Sequence, residues 1–313
     1  MNRCFVFPGQ GSQSLGMGKE LFDNFKLAKD VFYEVDDALN FKLSDVIFGD
    51  DENALNITQN TQPALMTVSV ATARIVEELS GKPIQQITNY VAGHSLGEYS
   101  ALCATRALGL SDTAKILKLR GEAMQKAVPQ GVGGMVAVLG LDYEKVEKLT
   151  IEASTHEYKC WIANDNTVGQ VVLSGHIQAI DKVVEIAKQF GAKRAMKLTV
   201  SAPFHCELIK PAMDTMEQEL DKIEFNSVSV PIITNVTAKP QTDVNVVKNG
   251  LVEQVCGRVR WRETIDEMLN LSVSELVECG SGKVLSGMVR RVESINSVSL
   301  NKISDIEDFV KTL

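Results

Sequence analysis

The 313-residue chain has only four histidines and six cysteines. The cysteines, at positions 4, 103, 160, 206, 256 and 279, form no Cys-x-x-Cys pair. That scatter offers neither a zinc site nor a disulfide framework, and reads as reduced, buried thiols of a cytoplasmic protein. No block of lysine and arginine stands out against a net charge of −8, which argues against a nucleic-acid partner. No apolar stretch is long enough to span a bilayer, so no membrane association is expected. The opening Met1-Asn2-Arg3-Cys4-Phe5-Val6-Phe7 is too short for a signal-peptide core and leads into a Pro-Gly turn. No internal repeat or low-complexity tract is visible. What remains is an ordinary globular composition, 44% hydrophobic and 23% charged, long enough for one large domain or two modest ones.

Two common phosphate-binding fingerprints are also missing. Gly9-x-Gly11 is followed by Ser14 where a dinucleotide site needs glycine. Gly280-Ser281-Gly282-Lys283 lacks the first P-loop glycine, replaced by Val277, and the magnesium-binding hydroxyl, replaced by Val284. It reads as a strand-to-helix turn.

The positive signal is Gly93-His94-Ser95-Leu96-Gly97. An apolar run at 90–92 precedes it, and a stretch rich in Leu, Ala and Glu at 96–105 follows it. Gly-x-Ser-x-Gly between a buried strand and a helix is the nucleophile-elbow arrangement. The first N–H groups of the helix would face whatever the serine attacks. Alone the pentapeptide is weak, so its neighbours must decide.

Strands and helices alternate over the first 126 residues: a strand at 4–7, helices at 18–39 and 61–79, the elbow, then a helix at 111–127 capped by Ser111. The Pro129–Gly134 stretch breaks this pattern. A βαββαβ series follows, with strands at 135–139, 159–163, 170–174 and 194–200 and helices at 143–153 and 177–190, the order of a ferredoxin-like split motif. Alternation then resumes with a strand at 231–235, helices at 246–255 and 264–269, and a strand at 275–278. The expected fold is therefore α/β. A large domain with a mostly parallel sheet, 1–128 and 201–313, would carry the elbow, and a ferredoxin-like small domain, 129–200, would be inserted in it. Such an insertion creates a cleft, a common place for a substrate.

A serine hydroxyl needs a base. His94 adjoins Ser95, His156 lies in a polar turn and His176 at a strand end. His205, at a bend fixed by Pro203 where the chain re-enters the large domain, is the favoured general base. Arg120 lies on the apolar face marked by Ile116, Leu117, Ala123, Met124 and Ala127. A guanidinium there must snorkel out, pair with a protein carboxylate, or wait for a substrate carboxylate that its fork can hold. Pro8-Gly9-Gln10-Gly11-Ser12-Gln13 follows the first strand, so its exposed Gln10 N–H is expected at the same end of the sheet as the elbow.

Five segments occur in order: PGQGSQ, GHSLGEYSAL, LRGEAM around Arg120, SAPFH around His205, and ECGSGKVLSGM. Together, over nearly the whole chain, they resemble the malonyl-CoA:acyl carrier protein transacylases of fatty acid biosynthesis. The resemblance implies a large domain related to the α/β-hydrolases and a ping-pong transfer through a malonyl ester of Ser95. His205 would serve as base and then acid. The backbone N–H groups of Gln10 and Leu96 would form the oxyanion hole, and Arg120 would hold the malonyl carboxylate. The Gln254 backbone carbonyl would orient His205, although Gly257-Arg258 stands where asparagine-proline is more usual. Phe204 would exclude methyl-branched donors, and Asn164 and Asn166 would line the cleft. Malonyl-CoA and the phosphopantetheine arm of acyl carrier protein, a transient partner, would be substrates of a monomeric, cytoplasmic enzyme without cofactor or metal.

Two other readings compete. An α/β-hydrolase-type esterase or thioesterase shares the elbow but needs a triad acid between Ser95 and His205, where no residue suggests itself. A non-catalytic carrier-docking subunit would be signalled by loss of Ser95, His205 or Arg120, and all three are present.

Overall fold

The computed structural model describes residues 1–200 and 202–313. In chain order its strands are β1 (Arg3–Phe7), β2 (Tyr90–Gly93), β3 (Gly133–Leu139), β4 (Cys160–Thr167), β5 (Gln170–His176), β6 (Arg194–Lys197), β7 (Ile232–Ile233), β8 (Pro240–Gln241), β9 (Glu275–Cys279) and β10 (Asn296–Leu300). One sheet runs β10-β9-β1-β2-β7-β8 and is parallel except for the β7–β8 pair. The other runs β4-β5-β3-β6 and is antiparallel. The protein is thus mixed α/β with a mostly parallel sheet.

Short apolar strands suit a parallel sheet covered by helices on both faces. Alternation along β1 shows both faces in use. Phe5 and Phe7 enter the largest core, with Leu65 and Tyr99, while Cys4 and Val6 enter a second one with Trp261 and Met268. In-register pairing of Phe7 with Gly93 brings the ends of β1 and β2 side by side. The Pro8–Gln13 stretch and the elbow therefore leave the sheet together.

The antiparallel sheet also packs against apolar cores on both faces of β3. Val136 and Val138 of β3 pack in a separate core with residues of the helices Tyr143–Ala153 and Ile177–Ile186, whereas Met135 and Ala137 face the largest core. Backbone bonds fasten its edge strand to the larger body: Val259 N–H donates to the Ala163 carbonyl at 2.8 Å, and Asp165 N–H to the Val259 carbonyl at 2.9 Å. Arg262 pairs with buried Asp165 at 2.8 Å beside them.

Several boundaries differ from expectation. The helix expected at 18–39 is two, Lys19–Asn24 and Lys26–Leu39, separated by Phe25 in an extended conformation. The long apolar helix starts nearly a turn early, Thr58–Ser80, and stops at left-handed Gly81. Ser111 does not cap the next helix. That helix, Leu110–Lys126, begins after extended Gly109, and the Ser111 hydroxyl donates to Glu34 at 3.0 Å. β4 runs four residues beyond the expected end at 163, to Thr167, so Asn164 and Asn166 are strand residues. The strand expected at 194–200 ends at Lys197. The large-domain strand expected at 231–235 shrinks to two residues, and Asn235 lies just past it. The helix Lys210–Leu220 and strand β10 were not expected at all. Among the described residues no helix is long and apolar enough to cross a membrane.

Candidate active site

The elbow is sharp because its glycines allow nothing else. A Cβ on Gly93 would sit 1.9 Å from the Gly97 backbone, and one on Gly97 would sit 2.1 Å from the Phe7 carbonyl oxygen. Ser95 is held at φ 54°, ψ −110°, a conformation costly for a residue with a side chain. Its N–H donates to Asn235 Oδ1 at 2.7 Å, and Asn235 Nδ2 donates to the Gly93 carbonyl at 2.6 Å. One side-chain amide thus grips both arms of the turn.

The Ser95 hydroxyl lies 2.8 Å from His205 Nε2. His205 itself has φ 57°, a left-handed conformation that turns the ring back toward the elbow. Its Nδ1 lies 2.9 Å from the Gln254 carbonyl oxygen and 3.1 Å from that of Gly257. Carbonyls only accept, so Nδ1 carries the proton and Nε2 is left with its lone pair toward Ser95. Burial, reinforced by the Arg120 charge, pushes the imidazole pKa down to about 3. The ring is neutral at physiological pH, the state a general base requires.

Arg120 is 1% exposed. Its Nη1 donates to Gln62 Oε1 at 2.7 Å, and its Nη2 donates to Gln254 Oε1 at 2.8 Å and to Ser95 Oγ at 3.2 Å. The Tyr99 ring lies beneath it, 5.5 Å from the guanidinium carbon to the ring centre. Among the described residues no carboxylate forms an ion pair with Arg120, and its Nε has no partner. A buried guanidinium surrounded by neutral acceptors has charge to spare for an anion, and burial lowers its pKa.

Ser95, His205, Arg120 and Gln254 therefore meet at one point. Among the described residues, neither the Gln10 N–H nor the Leu96 N–H has an internal hydrogen-bond partner. The Gln10 side chain accepts from Thr58 Oγ1 at 2.9 Å, and Gly9 packs so closely on the elbow that a Cβ would reach His94 O at 2.5 Å. Beside His205 opens a cleft of about 850 Å³ whose walls include Trp161, Ile162, Val236, Cys256 and Arg258.

The residues expected to line the cleft lie in β4 and next to His205 in the chain. Asn164 and Asn166 are buried, and neither walls the opening beside His205, which Ser95 and Arg120 do not wall either. Asn166 Oδ1 lies 2.9 Å from His94 Nε2, tying the elbow to the antiparallel sheet. Phe204 is buried in the largest core, next to His205 in the chain. Ser201, the first residue of the SAPFH segment, lies outside the described residues.

Sequence reasoning missed Glu98, Asn235 and Gln62. Glu98 is fully buried and accepts at Oε2 from Gln254 Nε2 at 2.7 Å and from Asn235 N–H at 3.1 Å. Burial raises its carboxyl pKa to about 7, against the pull of those bonds and of Arg120. Its signal was its place in GHSLGE, directly behind the nucleophile.

Comparison with known proteins shows the family. Residues 4–292 match the acyl transferase domain family. The malonyl CoA-acyl carrier protein transacylase of Bacillus subtilis is 41% identical over 311 residues, covering 99% of this chain and 96% of the relative. The solved acyl-carrier-protein-S-malonyltransferase of Bartonella henselae is 48% identical with a TM-score of 0.97, covering 100% of this chain and 99% of that one. A malonyl-transacylase solved in complex with a type II PKS acyl-carrier protein is 36% identical with a TM-score of 0.95, each chain covered in full. The chain belongs to the acyl transferase family, among the malonyl-CoA:acyl carrier protein transacylases.

Proposed function

We propose that this protein moves the malonyl group from malonyl-CoA to the phosphopantetheine thiol of acyl carrier protein, through an ester on Ser95, for fatty acid synthesis. The carrying observation is Arg120 Nη2 at 3.2 Å from the Ser95 hydroxyl, on a buried guanidinium that pairs with no carboxylate among the described residues. An acyl donor with a distal carboxylate would complete that site.

In the first half-reaction Ser95 Oγ attacks the thioester carbonyl as its proton passes to His205 Nε2. The tetrahedral oxyanion is received by the Gln10 and Leu96 N–H groups, both without internal partners among the described residues. Collapse breaks the carbon–sulfur bond, and CoA leaves with the proton from His205. The second half runs in reverse: the carrier thiol gives its proton to His205, attacks the malonyl ester, and Ser95 recovers its proton. Thioester enters and thioester leaves, so the proposed chemistry calls for no cofactor or metal.

An esterase triad reading is disfavoured because His205 Nδ1 faces two carbonyls, where such a triad has an acid. We further assign residues 129–200 as a ferredoxin-like small domain inserted in an α/β-hydrolase-like large domain, 1–128 and 201–313. The separate core under the antiparallel sheet supports this, and the re-entry residue Ser201 lies outside the described residues. Phe204, buried beside His205, is assigned the exclusion of methyl-branched donors, and the enzyme is taken as a cytoplasmic monomer. For the carrier, Arg290 and Arg291 are exposed and form no ion pair among the described residues, unlike Arg258 and Arg260, which both pair with Glu263. They are the proposed dock for its acidic surface.

The test is intact mass spectrometry after brief mixing with malonyl-CoA. A malonyl-sized increment on wild type, absent from Ser95→Ala and discharged by carrier protein, is expected. Free malonate accumulating without an adduct would mean a hydrolase instead.

A further inference from the structure

Beneath Ser95 lies a carboxyl group that touches no substrate in the mechanism above. Glu98 sits in the first turn of the helix Leu96–Ala104, where an acidic residue ordinarily faces solvent near the helix N-terminus. Here it is fully buried, and its Oε2 is shared by two donors from distant parts of the chain, Gln254 Nε2 and Asn235 N–H.

Each of those partners holds a different piece of the machinery. Asn235 takes the N–H of strained Ser95 at 2.7 Å and so fixes the elbow. Gln254 holds Arg120 with its Oε1 at 2.8 Å, orients His205 with its backbone carbonyl at 2.9 Å, and spends its second Nε2 hydrogen on the Ser95 carbonyl at 3.0 Å. Rotating the Gln254 amide by half a turn would set its oxygen against two acceptors and its NH₂ against the guanidinium. With Oε2 of Glu98 accepting at that point, the amide is forced the other way.

Resting on the transacylase reading, we infer that Glu98 is a positioning residue: its Oε2 locks the Gln254 side-chain amide and the backbone N–H of Asn235, so that nucleophile, base and carboxylate-binding arginine are held in one register. It acts through those two hydrogen bonds and not through its charge. A neutral acceptor in the same place would therefore suffice. Glu98→Gln can still offer an oxygen to both donors, whereas Glu98→Met fills the space and accepts nothing.

The experiment measures single-turnover acylation of Ser95 by malonyl-CoA and acetyl-CoA for wild type and both variants. Glu98→Met is expected to lose about a hundredfold in malonyl acylation, the scale of a misplaced reacting group, and about tenfold in the malonyl-to-acetyl ratio. Glu98→Gln should stay within about threefold of wild type on both. A residue that only packs would lower the melting temperature and leave the ratio alone, so an unchanged ratio in Glu98→Met overturns the inference. Equal losses in both variants overturn it as well, since the charge would then be the active property. If Glu98→Met does not fold, Glu98→Gln decides, a tenfold loss being refutation. Wild type without any malonyl adduct would remove the transacylase reading and this inference together. An adduct on wild type with either adverse result removes the inference alone.

Discussion

Replacing Arg120 with methionine separates the carboxylate-binding role from a purely structural one. Methionine fills much of the same buried volume and offers no donor. Among the described residues, three of the five guanidinium N–H donors are engaged, by Gln62, Gln254 and Ser95, which leaves two for a ligand. A hydrogen bond to a charged group contributes about 1.5–3 kcal/mol net. One or two such bonds to the malonyl carboxylate, made in a desolvated pocket, amount to about 3 kcal/mol. At about 1.4 kcal/mol per factor of ten, that is a loss of about a hundredfold in kcat/KM for malonyl-CoA. Acetyl-CoA has no distal carboxylate, so its acylation should change by only a few-fold, from the loosened Gln62 and Gln254 amides. The assay is the rate of Ser95 ester formation with each donor, read by intact mass after rapid quenching. Equal losses for the two donors would refute the reasoning and leave Arg120 as a structural residue.

Three other outcomes are expected. Gly97→Ala would push a Cβ to 2.1 Å from the Phe7 carbonyl, so it should cost at least about 3 kcal/mol in urea unfolding; a midpoint near wild type would contradict the elbow packing. Arg291→Glu should raise KM for acyl carrier protein about tenfold, or about 1.4 kcal/mol, while Ser95 acylation by malonyl-CoA stays as it was; an unaltered KM would move the dock elsewhere. The pH dependence of stability carries two opposed contributions. Glu98, raised to about 7 from an ordinary 4.5, keeps a proton in the folded state that the unfolded chain has lost, so its contribution is present at low pH and lost as pH rises through 7. His205, lowered from 6.5 to about 3, refuses a proton that the unfolded chain accepts, so its contribution is lost as pH falls below 6.5. Between pH 4.5 and 6.5 the two offset. Glu98→Gln removes the first, and its unfolding free energy should climb with pH relative to wild type by about 1.4 kcal/mol per unit; parallel profiles would rule this out.

Legibility followed the range of the physical signal. Ser95 announced itself through three adjoining elements, since an elbow is a local event of strand, glycines and helix. Arg120 was readable as a charge on an apolar helix face, and the burial of that face bears this out. His205, 110 positions from Ser95, came from counting histidines and from a bend, because nothing local tells which base a distant serine will meet. Gln254 entered only through resemblance: a backbone carbonyl has no residue signature. Glu98, Asn235 and Gln62 escaped because a polar residue in a helix or at a strand end looks solvated until tertiary contacts bury it. The misplaced cap at Ser111 has a similar cause, since extended Gly109 could start the helix without a side-chain cap. β10 was missed because its sequence, Asn296-Ser297-Val298-Ser299-Leu300, is weakly apolar for a parallel strand, as befits the edge of the sheet.

The pair of carbonyls on His205 Nδ1 also limits which bonds the enzyme can break. A carboxylate in that position would stabilise the imidazolium and let the ring wait, charged, until a reluctant leaving group takes its proton. Two dipoles give less, and the nearby guanidinium makes the cation still more costly. The proton is therefore held briefly and passed on at once. A thiolate, with a conjugate acid near pKa 8.5, departs readily under those terms. The nitrogen of a peptide bond does not, because it must be protonated as it goes. The same orientation that would ready a strained, half-buried Ser95 for thioesters would thus spare amide bonds.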